Sequence, residues 1–572
     1  MKTRTFLAVL TALALLVFFT CKNESNTPNG PNNIIDDPNR PSKPTPENPW
    51  PDTTVTITND SFWFDTGEGT LINENKLLVS QSGGLFDFID PETGKDRHYW
   101  YGIYYNGAMA YYDNPTRNAL TEHNDFNSIT CYSSMDLANW RPEGKMLTRQ
   151  GLDAAGYTKK YLGRMGAAYL PEADKKYLLV IQYNTDGNSS VEEIMIAWAD
   201  TPTGPFTVHR LINIKAEVGI YTGDETVFAD DDGKYYLVAS TGSGRKQIHI
   251  LRIAWDAENE QVYFANPKNP NTPKDFTTMP QIYQALTDEK EDGMEGNCMF
   301  KHEGKYYSTG GPLYGWNASP AKYQVSDNGL VGSYLPTFNS TYDMVNAKKD
   351  FSHITQTGFY YTLKGTKQTT VIYCGDRWAD FCSNGIGYNQ WVPLSFDGDK
   401  VVFNSLSQWT LNPKTGEWAV GEGNNYVLNG TFEADRVPVS TVAGWTYSGT
   451  GITNDSSGNN RIGKYHMGFR TSSVPSGISQ EITLPDGDYL LRAHVWVTSG
   501  ISGVTTAELY AGTAVRDLKT AGTSWAPIEP LPVTVTDGKI TVGVRVEGIP
   551  SGQIVRVDNI TLIKASYPYV EP

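Results

Sequence analysis

Five times along this chain a charged or glycine-containing turn runs into an aromatic strand, and that repeat constrains the fold more than any other feature. Lys95-Asp96-Arg97 precedes Tyr99-Trp100-Tyr101, Asp174-Lys175-Lys176 precedes Tyr177, and Asp231-Asp232-Gly233-Lys234 precedes Tyr235. Glu303-Gly304-Lys305 precedes Tyr306, and Gly365-Thr366-Lys367 leads to Val371-Ile372-Tyr373. The markers Tyr99, Tyr177, Tyr235, Tyr306 and Val371 stand 58 to 78 residues apart. Each interval suits one four-stranded antiparallel sheet with its loops, the marker lying on the second strand of a hairpin. Five such sheets repeated radially make a five-bladed β-propeller, expected over residues 53–423. The competing reading is some other all-β arrangement. No long amphipathic helical pattern interrupts the stretch.

Composition agrees with an all-β protein. Aromatics make up 12% of the 572 residues, with 34 Tyr and 14 Trp, and there are 54 Gly. Aromatic residues favour pleated, half-buried surfaces, and flat rings suit stacking on sugar faces. A net charge of −16 argues against nucleic-acid binding, which needs a cationic footprint. The five cysteines include no CxxC pair and no close Cys/His cluster, so a zinc site is not expected. Cys374 and Cys382 are spaced to pair in an oxidising compartment, with buried free thiols as the alternative. No cofactor is implied. A structural Ca²⁺ on the propeller axis finds no supporting carboxylate pattern, and Asp230-Asp231-Asp232-Gly233 reads as a hairpin turn.

The ends of the chain differ from its body. Lys2 and Arg4 precede an apolar run from Phe6 to Phe19, followed by Thr20-Cys21. The run is too short for a membrane span and reads as a signal segment. A Cys directly after it resembles a bacterial lipoprotein signal over residues 1–21, with Cys21 lipidated. The expected location is the cell envelope, on either face of the outer membrane, with membrane contact through that anchor only. Residues 22–52 are rich in Asn, Pro, Ser and Asp and read as a tether. In residues 424–566 Trp and charge thin out and short alternating strands appear, such as Asp488–Val495, expected to form a β-sandwich. The opening Val427-Leu428-Asn429-Gly430-Thr431-Phe432-Glu433, with Gly444-Trp445 and Val557-Asp558-Asn559-Ile560, resembles jelly-roll carbohydrate-binding modules. The alternative is a domain that only packs on the propeller.

Within the repeat, Met294–Tyr307 carries Glu295 just ahead of the short apolar strand Cys298-Met299-Phe300. Desolvation at such a strand mouth raises a carboxyl's proton affinity, which suits a general acid; a solvated strand-end Glu is the alternative. Further blocks follow in order. They are Trp100-Tyr101-Gly102, Cys131-Tyr132-Ser133-Ser134, Ile196-Ala197-Trp198-Ala199-Asp200 with Gly204-Pro205-Phe206, and Gly223-Asp224 with Phe228. After Glu295 come Gly315-Trp316 and Gly375-Asp376-Arg377-Trp378. Taken together, roughly residues 65–410 resemble glycoside hydrolase family 43, and most closely its exo-β-1,3-galactanase members.

The resemblance implies an inverting exo-glycosidase in which Glu295 matches the general acid and Asp224 the carboxylate that tunes it. It implies a polysaccharide substrate, galactose released from β-1,3-galactan being the expected reaction. Arabinofuranosidase, xylosidase or galactofuranosidase activity on the same scaffold, or a glycan-binding protein that has lost catalysis, are the alternatives. The base is where this chain departs from the family. Val79–Phe88 lacks the usual first-blade Asp, so Gln356 is the matching candidate for the base and Asp87 an outside candidate. The galactanase-like Glu-Arg-Pro block reads Gly163-Arg164-Met165, and Ala-His-Gly-Gly reads Ser80-Gln81-Ser82-Gly83. Gln81, Trp100, Arg164, Trp316, Asp376, Arg377 and Trp378 are the expected substrate contacts.

Overall fold

Strands such as Tyr177–Asn184, with Leu178, Leu179, Val180 and Ile181 consecutive, are apolar on both faces and must be covered on both. Stacking sheets face to face around an axis does this. A computed structural model describes residues 49–59, 78–106, 126–158, 161–184, 193–284, 293–313, 321–334, 339–340, 355–377, 388–432, 442–455, 461, 465–498 and 503–569.

Five antiparallel sheets follow one another. Blade 1 is Gln81–Ile89, Asp96–Tyr105, Phe126–Ser134 and Arg141–Thr148; blade 2 is Tyr161–Tyr169, Tyr177–Asn184, Glu193–Ala199 and Thr207–Asn213. Blade 3 is Thr222–Ala229, Tyr235–Thr241, Gln247–Asp256 and Gln261–Ala265, with Gln281–Gln284 added on its third strand. Blade 4 is Glu295–His302, Lys305–Gly311, Lys322–Ser326 and Asn339–Ser340; blade 5 is Gln356–Lys364, Thr369–Arg377, Tyr388–Asp397 and Lys400–Phe403. The first strand of each blade packs against the first strands of both neighbours, and that of blade 5 returns to blade 1. The ring is a closed five-bladed propeller. All five markers lie on second strands, where the repeat places them.

Each blade is built from its own consecutive strands, so the seam between blades 5 and 1 rests on side chains rather than a shared ladder. Trp100 lies there, 5.3 Å from Trp140, 5.1 Å from Trp391 and 6.4 Å from Phe359 between ring centroids. Buried aromatic groups of this size dominate packing energetics. Tyr361 of blade 5 adds a polar stitch by donating to Asp87 of blade 1 at 2.8 Å.

The amino-terminal segment corrects the tether boundary expected at residue 52. Trp50 is buried and stacks on His98 with centroids 3.8 Å apart, and Asn412 donates to Asp52 at 3.0 Å. Val55–Thr58 pairs with Gln408–Leu411, itself paired with Trp418–Val420. The folded body therefore already includes Trp50. Cys131, Cys298 and Cys374 are buried free thiols, so the Cys374–Cys382 pairing is not made. Cys21 and Cys382 lie outside the described residues. No helix among the described residues is long and apolar enough to cross a membrane.

The carboxy-terminal part forms two sheets. One orders Thr446–Ser448, Ser476–Thr483, Lys539–Glu547, Thr506–Ala511 and Ala514–Asp517. The other orders Ile452–Asp455, His466–Phe469, Val555–Lys564 and Gly487–Val497, with Ala526–Pro527 and Leu531–Val535 on that last strand. Leu531–Val535 alternates buried and exposed residues, the period-two pattern of a sandwich strand with one wet face. Gln408 donates to the Tyr567 hydroxyl at 2.9 Å, joining this part to the small sheet beside the propeller.

Candidate active site

Every first strand slips register at the same end: at Gln81/Gly84, Leu162/Met165, Thr222/Glu225, Glu295/Cys298 and Thr357/Phe359. A bulge frees a residue from the ladder and re-aims its side chain. Arg164 and Asp224 sit in these slips; Glu295 and Gln356 stand at the strand starts beside them. Four neighbouring blades thus direct Arg164, Asp224, Glu295 and Gln356 toward one another.

The four side chains form a continuous network. Arg164 donates from Nε to Asp224 Oδ2 at 2.9 Å, from Nη1 to Asp376 Oδ2 at 3.0 Å, and from Nη2 to Gln356 Oε1 at 3.0 Å. Gln356 Nε2 donates to Glu295 Oε1 at 2.9 Å. Arg245, from the turn after the second strand of blade 3, donates from Nη1 to Asp224 Oδ1 at 3.1 Å and to Glu295 Oε2 at 2.9 Å. The Gly296 amide donates to Asp224 Oδ2 at 2.7 Å. A guanidinium has no acceptor, so Arg164 fixes the Gln356 amide with oxygen toward itself and nitrogen toward the acid.

The two central carboxyls are driven apart in proton affinity. Burial pushes Glu295 up, the Asp224 charge adds to this, and Arg245, Arg164 and Gln356 only partly oppose it, leaving Glu295 at about 7. Asp224 is buried as well, but Arg245, Arg164 and the Gly296 amide outweigh the desolvation and hold it below the usual carboxylate range. One carboxyl that keeps its proton near neutrality beside one that stays ionised is the arrangement acid catalysis requires. Burial also raises Asp376, against the pull of Arg164.

The remaining expected residues fall in different places. Gln81 begins the first strand of blade 1 and is buried, and the adjacent Ser82 amide donates to Asp376 at 3.1 Å. Asp376 is fully buried against Arg164, which makes it an anchor for that guanidinium rather than a group open to substrate. Trp100 is 0% exposed in the seam of the ring, so the sugar-platform expectation is corrected to core packing. Arg377 ends the second strand of blade 5; Trp316 and Trp378 lie outside the described residues. Asp87 bonds His98 Nδ1 at 2.7 Å and Tyr361, six residues down its strand from Gln81. At the rise of an extended strand that is about 20 Å away, which removes it from the site. Gln356 also needs correction as a base. An inverting base stands about 6.5–9.5 Å from the acid with water between, whereas the Gln356 amide touches Glu295 directly.

Two participants left no signal in the sequence. Arg245 follows an unremarkable Gly-Ser-Gly turn. Gln182, on the second strand of blade 2, accepts from the Arg164 amide at 3.1 Å and donates to the Gly223 carbonyl at 2.8 Å. It also explains Gly163, since a Cβ there would lie 1.7 Å from Gln182 Oε1. Among the described residues no group of three or more His, Cys, Asp or Glu is placed to hold a metal ion.

A paired proton-holding and ionised carboxyl at one end of a five-bladed propeller is a pairing that glycosidases use. Residues 104–313 match the family model of glycosyl hydrolases family 43. The matched stretch contains Arg164, Asp224, Arg245 and Glu295; Gln81, Gln356 and Asp376 lie beyond it. Among solved structures, the fold is similar to an exo-β-1,3-galactanase from Phanerochaete chrysosporium bound to β-1,3-galactotriose. Identity is 18%, coverage 89% of this chain and 99% of that one, and the TM-score 0.50. An exo-β-1,3-galactanase from Clostridium thermocellum is similar at 17% identity, covering 88% of this chain and 99% of that one, with a TM-score of 0.49. No curated protein matches the chain.

Proposed function

We propose that this glycosidase removes terminal galactose from β-1,3-linked galactan with inversion, Glu295 protonating the glycosidic oxygen and Asp224 keeping it protonated. The observation that carries the reading is the pair itself: Glu295 held at about 7 and Asp224 held ionised by the same two arginines. Galactan as substrate draws on the sequence resemblance and on the activity named for the solved structures. In this reading Gln356 orients the acid and Arg164 holds the network together. The test is galactose release from β-1,3-galactan by wild type and Glu295→Gln. Loss of about 10²–10⁴-fold in the variant, with an unchanged fold, is expected for a general acid; equal rates would remove Glu295 from the role.

A second reading, a glycan-binding propeller without hydrolysis, is favoured by one observation: both candidate bases from the sequence are engaged elsewhere, Gln356 with the acid and Asp87 at the far end of its strand. Binding of galactan without release of sugar by the wild type would select it. The envelope location and the lipid on Cys21 belong to the same proposal and draw on the amino-terminal sequence. Incorporation of labelled palmitate, abolished by Cys21→Ala, tests them.

A further inference from the structure

Glu295 has two oxygens, and both accept a hydrogen bond. Oε1 takes the Gln356 amide, whose side chain is buried. Oε2 takes Nη1 of Arg245, whose side chain is 21% exposed. Of the two groups bonded to the acid, Arg245 is the more exposed. A proton carried on Oε2 toward a glycosidic oxygen competes with the Nη1 hydrogen for that oxygen.

The turn holding Arg245 is built for this contact. Arg245 sits at φ 51, a left-handed conformation seldom adopted by a residue with a side chain, next to Gly244 at φ 69. Its carbonyl accepts from the Met294 amide at 2.9 Å, which ties the turn to the residue preceding the acid. Its side chain crosses Gly223, where a Cβ would lie 2.6 Å from Nε. A side chain at position 223 would push the guanidinium off both carboxyls.

We propose that Arg245 is a positioning residue that occupies the donor oxygen of Glu295 in the resting enzyme, its Nη1 bonded to both the acid and Asp224, and withdraws when the leaving group arrives. The proposal rests on Glu295 being the acid. The charged and polar groups facing Glu295 are Asp224 and Arg245 from blade 3, Arg164 from blade 2 and Gln356 from blade 5. Asp376 stands behind Arg164, and the carboxyl of Glu225, fully buried beside Asp224, is pushed up mainly by burial. Of the two cations, Arg164 is also committed to Asp376 and Gln356, whereas Arg245 bonds both members of the acid pair from one nitrogen. Removing Arg245 takes a favourable charge from ionised Glu295 and raises its proton affinity. Arg164 and the Gly296 amide continue to hold Asp224 ionised.

The experiment compares wild type, Arg245→Gln, Arg245→Leu and Arg245→Lys by two readouts. One is the pH–rate profile for galactose release from β-1,3-galactan. The other is a ¹³C titration of protein labelled at glutamate side-chain carboxyls, with the Glu295 signal identified from Glu295→Gln. Both charge-free variants are expected to move the Glu295 midpoint, and the alkaline limb of activity with it, upward by about one pH unit or more. Lys is expected to restore the wild-type values. If one charge-free variant does not fold, the other decides. An unmoved midpoint in a folded charge-free variant overturns the proposal. The titration needs no turnover: a wild type that releases no sugar overturns the hydrolase reading, while the midpoints still decide the contact of Arg245 with Glu295.

Discussion

Gln356 Nε2 stands 2.9 Å from Glu295 Oε1, so the residue expected across the cleft from the acid is instead its hydrogen-bond partner. Gln356 is held the other way round by Arg164, and the three side chains act as one unit.

Gln356→Ala should therefore act on the acid's orientation and proton affinity together. The bond from Nε2 favours the ionised form of Glu295, so its loss raises the proton affinity and moves the alkaline limb of the pH–rate profile upward. Misorientation should lower kcat by about 10–100-fold. Steady-state kinetics across pH 5–9 measure both. A rate loss with the alkaline limb in place would contradict an orienting role.

Asp224→Asn has the opposite sign on the limb. The charge of Asp224 raises Glu295, so removing it lets the acid ionise at lower pH. Activity at neutral pH should fall steeply and the alkaline limb should move down. The pH–rate profile of the variant, fitted beside the wild type, checks the direction.

Arg164 joins Asp224, Asp376 and Gln356 from a fully enclosed position. Arg164→Met leaves Asp376, 0% exposed, without its cationic partner, and breaking such a pair costs about 3–5 kcal/mol. Arg164→Met with Asp376→Asn should recover much of that loss. Urea unfolding of the two variants measures it; equal stability would show that the pair is not coupled.

Trp100→Phe tests the aromatic seam. The residue packs on Trp140, Trp391 and Phe359, so the substitution should lower stability by about 1–3 kcal/mol while KM for galactan stays at the wild-type value. A raised KM with unchanged stability would restore Trp100 to the sugar-binding surface.

The propeller was legible because it is written locally. Each charged turn and aromatic strand is a short-range pattern, and five of them at similar spacing admit few architectures. Glu295 and Asp224 were legible through ordered blocks that each stay within one hairpin. Trp100 was misplaced because sequence shows an aromatic strand without showing which face meets a neighbouring blade. Gln356 was misread for a related reason: its partner lies 61 residues away in the chain, on another blade. Arg245 and Gln182 carry no motif at all, since their roles arise only when the ring closes.

The five register slips have a consequence for how such a site changes over time. Arg164 and Asp224 leave their sheets at breaks in the ladder, and Glu295 and Gln356 stand beside such breaks, so replacing one alters the site without unzipping the strand that carries it. One blade can then trade its contribution while four stay constant. The room beside Gly163 is already taken within its own blade by Gln182, so that position can accept a side chain only if Gln182 gives way.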